Sequence, residues 1–243
     1  MKKILFFIFF FPLCSHALSC VILLHGLARS HASMSKLETY LKKNNYSVIN
    51  LDYPSTRKTI HNLAEENIPP MINACLDLDA DDIDFVTHSL GGIVLRDYLQ
   101  HHRIPKLKRI VMLSPPNQGS PLADFFHDNW LFQVFTGPAG QALTTLEIHF
   151  PYPLPSQYEV GIIAGNVSPF GKLFFDEPND GKVAVSSTYL DGISDFIVMP
   201  VTHTFMMKNK KVMYQILFFL NYGKFEGVSK DSFRTEKTFR DMP

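Results

Sequence analysis

The chain has 243 residues, enough to bury a substantial core without a metal or several cross-links. Apolar residues make up 46% and charged residues 19%, which excludes a disordered or fibrous chain. Lys plus Arg and Asp plus Glu are 23 each, so no basic field draws the protein to nucleic acid.

The N-terminus carries the three regions of a secretory leader. Met1-Lys2-Lys3 precedes the apolar run Ile4 to Leu13, and Ser15-His16-Ala17 supplies small residues for cleavage after Ala17. The run is too short to span a bilayer. Residues 1–17 therefore read as a signal peptide and residues 18–243 as a mature single domain of net charge −2, since the leader holds two Lys and no acid. The expected location is exported, periplasmic or secreted in a bacterium. Cys14 leaves with the leader, so Cys20 and Cys75 become the one available disulfide pair, in a compartment that permits it. A less favoured alternative reads Ala17-Leu18-Ser19-Cys20 as a weak lipobox with a lipid on Cys20; against it, Cys20 runs straight into a strand.

From there strands and helices alternate, the pattern of a mostly parallel sheet covered on both faces. Cys20–Leu24 is a short apolar strand, and Ser35-x-x-Glu38 resembles a capping box that opens a helix to about Lys43. Val48–Leu51 is the next strand. Ile60 to Leu78 has a helical pattern with an expected kink or break at Pro69-Pro70. The strand Ile83–His88, the helix Gly92–His102 and the strand Arg109–Leu113 follow. Residues 115–158 break the rhythm with Pro, Gly and aromatic residues, and read as a cap-like insertion at the carboxyl edge of the sheet, where ligands bind. Strands Val160–Ala164 and Phe196–Met199 and a helix over Phe205–Leu220 complete the order.

Thr87-His88-Ser89-Leu90-Gly91-Gly92 lies between an apolar strand and a helix, the context of a nucleophile elbow. A sharp turn there lifts one Ser above the sheet. Small residues two places either side let the backbone approach; Gly91 meets this need, whereas Thr87 stands where Gly is usual. The competing structural role for Ser89 is an ordinary helix cap.

His25-Gly26 directly follows the first strand. With strand–HG–helix and strand–HSLGG–helix in that order, the chain resembles the α/β-hydrolase superfamily, and within it small bacterial lipases and esterases, with a more distant likeness to the GPI-inositol deacylase group. The resemblance implies a minimal α/β-hydrolase with a mostly parallel sheet of about six strands, since the first strands of the full-size fold are missing. It also implies an oxyanion hole made by the backbone N–H groups of Leu27 and Leu90, each such donor contributing roughly 3 kcal/mol to catalysis. His25, Gly26 and Gly91 shape these loops, and His25 is not the base. In this superfamily the acid and the His follow the Ser in chain order. Asn179-Asp180-Gly181-Lys182-Val183 resembles the lipase segment D-G-x-V that carries the acid. His203 is the only His downstream of Asp180, and so the candidate base. Asp176, Asp191 and Asp195 also precede it and remain alternatives, with Asp195 the best substitute. Ser114-Pro115-Pro116-Asn117-Gln118-Gly119-Ser120-Pro121 resembles the P-x-x-G-[ST] segment of lipases and is assigned no chemical role. In this fold Cys20 and Cys75 would both lie at the sheet edge opposite the site.

The expected function is an exported serine hydrolase that cleaves carboxylic acyl esters, lipid-like in view of the aromatic cap segment Phe125, Phe126, Trp130, Leu131, Phe132, Val134 and Phe135. These side chains could touch an acyl chain or a lipid surface, or simply pack on the domain. Acyl transfer or thioester hydrolysis on the same triad is the related alternative; a silent binding protein with this fold is the alternative from another class. No cofactor is expected. No metal is expected either: Asp77-x-Asp79-x-Asp81-Asp82 lacks the Gly and Glu of a calcium loop, and no zinc-type spacing occurs.

Overall fold

The computed structural model describes residues 18–126, 129–145, 154, 156–169 and 175–227. Residues 1–17, the expected leader, lie outside them. Strands β1 (Ser19–Leu24), β2 (Ser47–Ile49), β3 (Asp82–His88), β4 (Leu107–Leu113), β5 (Glu159–Gly165) and β6 (Asp195–Met199) form one sheet in the order β2-β1-β3-β4-β5-β6. Every neighbouring pair is parallel. The helices are α1 (Ser35–Lys42), α2 (Ile60–Leu76), α3 (Leu90–His101), α4 (Pro121–Phe126), α5 (Trp130–Gln141), α6 (Val185–Thr188) and α7 (Lys210–Tyr222).

The strands are apolar on both faces because both are covered. Cys20, Ile22, Leu24, Phe85, Ile110 and Met112 face the layer that holds α2 and α3. Their neighbours Val21, Leu23, Val86, Val111 and Leu113 face the layer of α1 and α7. Alternate side chains point to opposite faces, so a strand that feeds two cores cannot alternate with polar residues. Each fully buried large side chain, Phe85 or Phe219 for example, contributes about 1.5–3 kcal/mol.

Three local expectations need correction. Ser35 and Glu38 form no capping box: Met34 occupies the cap position without a side-chain bond, Ser35 donates to the Ala32 carbonyl, and Glu38 pairs with Lys42 and Asn50. A short 3-10 turn over His31–Ser33 leads into α1 and takes the place of the cap. Of the kink or break expected at Pro69-Pro70, the break does not occur: helix α2 runs on to Leu76, because burial of Leu63, Ile68, Met71 and Ile72 outweighs the lost hydrogen bonds. The last helix starts at Lys210, where the Asn209 side chain accepts the N–H groups of Lys211 and Val212; Met206–Lys208 form a separate 3-10 turn.

A disulfide joins Cys20 to Cys75, Cα atoms 5.7 Å apart, and ties the start of β1 to the last turn of α2. After β1 the chain moves outward to β2, then crosses back through α2 to place β3 on the other side of β1. The reversal opens a crevice at the carboxyl ends of β1 and β3, where His25-Gly26 and Ser89 emerge.

Candidate active site

Ser89 follows β3 directly and has φ 53° and ψ −122°. A residue other than Gly in that region costs of the order of 1–3 kcal/mol and persists only when its surroundings impose it. Here they do: the Ser89 N–H donates to the Leu113 carbonyl at 2.9 Å, and its carbonyl accepts the Gly92 N–H at 3.0 Å. Although Ser89 occupies the cap position of α3, its hydroxyl makes no capping bond. Gly91 lets α3 press onto β1, since a Cβ there would lie 2.6 Å from the Leu24 carbonyl oxygen. Thr87 is fully buried and fits where Gly is usual because the neighbour across from it is Gly92, whose Cβ would come within 3.1 Å of Thr87 Oγ1.

Ser89 and His203 line one cavity of about 190 Å³. His203 Nδ1 meets Asp180 Oδ2 at 2.7 Å, with both side chains buried. The other Asp180 oxygen accepts the N–H groups of Lys182 (3.0 Å) and Val183 (2.9 Å). Burial alone would raise the Asp180 pKa. The charge and hydrogen bond of His203, the Val183 N–H and the Ser114 hydroxyl outweigh it and hold the carboxyl below its ordinary range. A carboxylate kept ionised against Nδ1 fixes the imidazole so that Nε2 is its free face. Of the other candidate acids, Asp176 and Asp191 are exposed. Asp195 begins β6, and its carboxylate accepts the N–H groups of Phe196 and Phe225 at 2.9 and 2.7 Å.

The His25 ring stacks on Tyr53, centroids 4.1 Å apart. Its Nδ1 lies 2.9 Å from the Gly26 carbonyl and its Nε2 takes the Tyr53 N–H at 3.4 Å. Burial pushes its pKa down, so the ring is neutral with the proton on Nδ1. The Tyr53 hydroxyl donates to the His25 carbonyl. His25 is thus a loop strut, and it is not among the residues lining the cavity, whereas Gly26 and Leu27 are. Leu90 is the first residue of α3, so its N–H has no acceptor within the helix.

Two polar residues that sequence reasoning left without a role converge here. His88, wholly buried, bonds through Nε2 to the His203 carbonyl at 3.0 Å, while the His203 N–H donates to the Asp180 carbonyl at 3.0 Å. Burial keeps His88 neutral, so Nε2 is the donor and the histidine loop is pinned from both sides. Ser114, buried at the end of β4 with φ 40°, accepts the Gly165 N–H at 3.1 Å and supports the Asp180 carboxylate. The signal available in the sequence was position: both residues end strands at the edge that carries the elbow.

The loop after Ser114 is structural. Buried Arg96 on α3 donates to the Asn117 carbonyl and Oδ1, and Asn117 donates in turn to the Thr188 carbonyl. Of the aromatic cap residues, Phe125 is 70% exposed. The side chains of Phe126, Trp130, Leu131, Phe132, Val134 and Phe135 lie outside the described residues.

The six-stranded parallel sheet with helices on both faces has the α/β-hydrolase fold, and solved structures similar to it include bacterial lipases and esterases. The chain belongs to the family described as Domain of unknown function (DUF7379), which matches residues 15–149. Among curated proteins none matches it in sequence. The mature form of Bacillus licheniformis lipase BlEst2 is similar at 20% identity and TM-score 0.70, over 85% of this chain and 92% of the lipase. The metagenomic carboxyl esterase MGS0156 is 19% identical with TM-score 0.63, over 78% of this chain and 65% of the esterase. Phospholipase PlaB from Legionella pneumophila is 18% identical with TM-score 0.57, over 70% of this chain and 45% of the phospholipase.

Proposed function

We propose that the protein is an exported serine hydrolase of carboxylic acyl esters, lipid-like in character. The observation that carries this is the placement of a strained, non-capping Ser89 in one cavity with a histidine whose far nitrogen is held by a buried carboxylate. A Ser hydroxyl is a weak nucleophile until a base takes its proton. His203 Nε2 accepts that proton as Ser89 Oγ attacks the ester carbonyl, then returns it to the departing alcohol. Asp180 orients the imidazole and stabilises its charged form. The N–H groups of Leu27 and Leu90 receive the developing oxyanion. Water, deprotonated by the same imidazole, then releases the acid from Ser89.

Export rests on the leader at residues 1–17, and the Cys20–Cys75 disulfide accords with an oxidising compartment. The pairing of the Cys20 sulfur supports the soluble reading over a lipid on Cys20. The domain extends over residues 18–243, with the insertion at about 115–158 as its cap.

A fluorophosphonate probe tests the reading on the mature protein. Peptide mass spectrometry should find one adduct, on Ser89, absent in Ser89→Ala and much weaker in His203→Ala. Folded protein that takes no adduct would point to a binding module instead.

A further inference from the structure

The substrate-facing cavity is charged, although the whole chain is neutral. Its described lining holds two cations, Arg29 and Lys182, and no carboxylate, beside the apolar side chains of Leu27, Ala123, Leu143 and Val183. Arg29 sits on the loop after β1, and Lys182 two residues beyond Asp180, so different segments bring them to one mouth. Neither side chain has an ion-pair partner among the described residues. Two acids beside them are already engaged: Asp180 with His203, and Asp52, in the adjoining groove shared with Arg29, with His31 at 2.7 Å. Burial lowers the Lys182 pKa, and the neighbouring Arg29 charge adds to that; Asp180 opposes it. Both side chains are solvent-exposed at the mouth, so neither packing nor an ion pair accounts for two like charges beside the cavity.

We propose that the ester substrate bears a phosphate on its alcohol side, seated between the Arg29 guanidinium and the Lys182 ammonium. The substrate class that results is a phosphorylated acyl ester. This rests on the hydrolase reading above and adds the substrate's charge to it. Phosphate fits better than carboxylate for two reasons. The planar fork of Arg pairs with two phosphate oxygens, leaving a third for the point charge of Lys. A carboxylate carries a single negative charge against the two cations, whereas a phosphate carries about −1.5 to −2. In the reaction the ester C–O bond breaks, the acyl carbon gains the oxygen of water, and the alcohol leaves with its phosphate intact and one proton added.

The test compares 1-octanoylglycerol 3-phosphate with neutral 1-octanoylglycerol, both as monomers in solution. Wild-type kcat/KM should favour the phosphate by about tenfold or more, and raised salt should shrink the margin. The double variant Arg29→Met/Lys182→Met should lose that preference at least tenfold, while Arg29→Lys keeps part of it. Circular dichroism and fluorophosphonate labelling at Ser89 report whether the variant is folded and its serine active. Equal or slower turnover of the phosphate by wild-type protein would overturn the proposal, as would a preference that survives in the double variant. If neither ester is turned over although Ser89 still takes the probe, glycerol 3-phosphate provides the readout: it should slow labelling of wild-type protein and not of the double variant, and no protection overturns the proposal. Failure of the probe to label Ser89 at all would instead remove the hydrolase reading. A matching acetyl pair separates a lipid source of the phosphate from a small soluble one.

Discussion

The two ends of the sheet are built on opposite principles. At the amino end, elements are tied down: the disulfide joins β1 to α2, Arg109 bridges Glu159 at 2.6 Å and donates to the Leu220 carbonyl, and Lys106 caps the Ala80 carbonyl. Of its left-handed turn residues, Asn45 and Asp79 are types that tolerate such a backbone, and Lys106 is the exception. At the carboxyl end, Ser89 and Ser114 hold positive φ without that excuse, polar side chains are buried, and a cavity stays open.

The sharpest way to break this contrast is Ser89→Ala. On the proposed mechanism, ester turnover should fall by about four orders of magnitude or more. Stability in urea should hold, and Ser89→Gly should gain up to about 1 kcal/mol by relieving φ 53°. A loss of several kcal/mol in either variant would mean that the elbow is a packing feature. The reciprocal change, Cys20→Ser with Cys75→Ser, should cost about 4 kcal/mol, as expected for opening a 55-residue loop. Turnover by the fraction that remains folded should stay within about twofold of wild type, because the bond lies at the end of the sheet away from Ser89.

The same contrast explains what could be read from sequence. Strand–HG and strand–HSLGG placed Ser89 and the loop after β1, because those roles depend on local backbone and chain order. His203 followed from chain order, Asp180 from its resemblance to the lipase D-G-x-V segment, and the structure brings them within 2.7 Å. Ser114 and His88 were missed because their partners, Asp180 and the His203 carbonyl, are 66 and 115 residues away. No local pattern records such a contact. The capping box and the proline break failed for a related reason: tertiary burial of α1 and α2 outweighed local preference.

Asp84 sharpens the comparison from inside the sheet. It is buried in β3, and desolvation pushes its pKa up to about 7, with the Arg109 N–H and charge opposing the rise. Between the ordinary carboxylate range and about 7, the folded protein keeps a proton that the unfolded chain has released. Stability therefore declines as pH rises through that window and levels off above it. Asp84→Asn keeps an acceptor for the Arg109 N–H and cannot ionise. It should flatten the decline and stabilise the protein at pH 8, by about 4 kcal/mol at most. Urea midpoints across pH 4–8 would read this out, and an unchanged slope would show that Asp84 is ionised at little cost.

The smallest expected effect, and the most diagnostic of how the site is held, belongs to Ser114. Its hydroxyl accepts the Gly165 N–H and supports the Asp180 carboxylate, so it couples the end of β4 to the acid loop without facing the cavity. Ser114→Ala should lower kcat about tenfold and leave KM nearly unchanged, in keeping with one lost hydrogen bond to a charged group. With one stabilising donor gone, the Asp180 carboxyl is less depressed, and the acid limb of the kcat profile should move to higher pH. Ser114→Gly separates the two properties of this position: it relieves φ 40° but still lacks the hydroxyl. If the Gly variant is as impaired as the Ala variant, the hydroxyl is what positions Asp180. If Gly restores turnover, the backbone turn is what matters, and the carboxyl end is held by chain geometry instead of by its buried polar network.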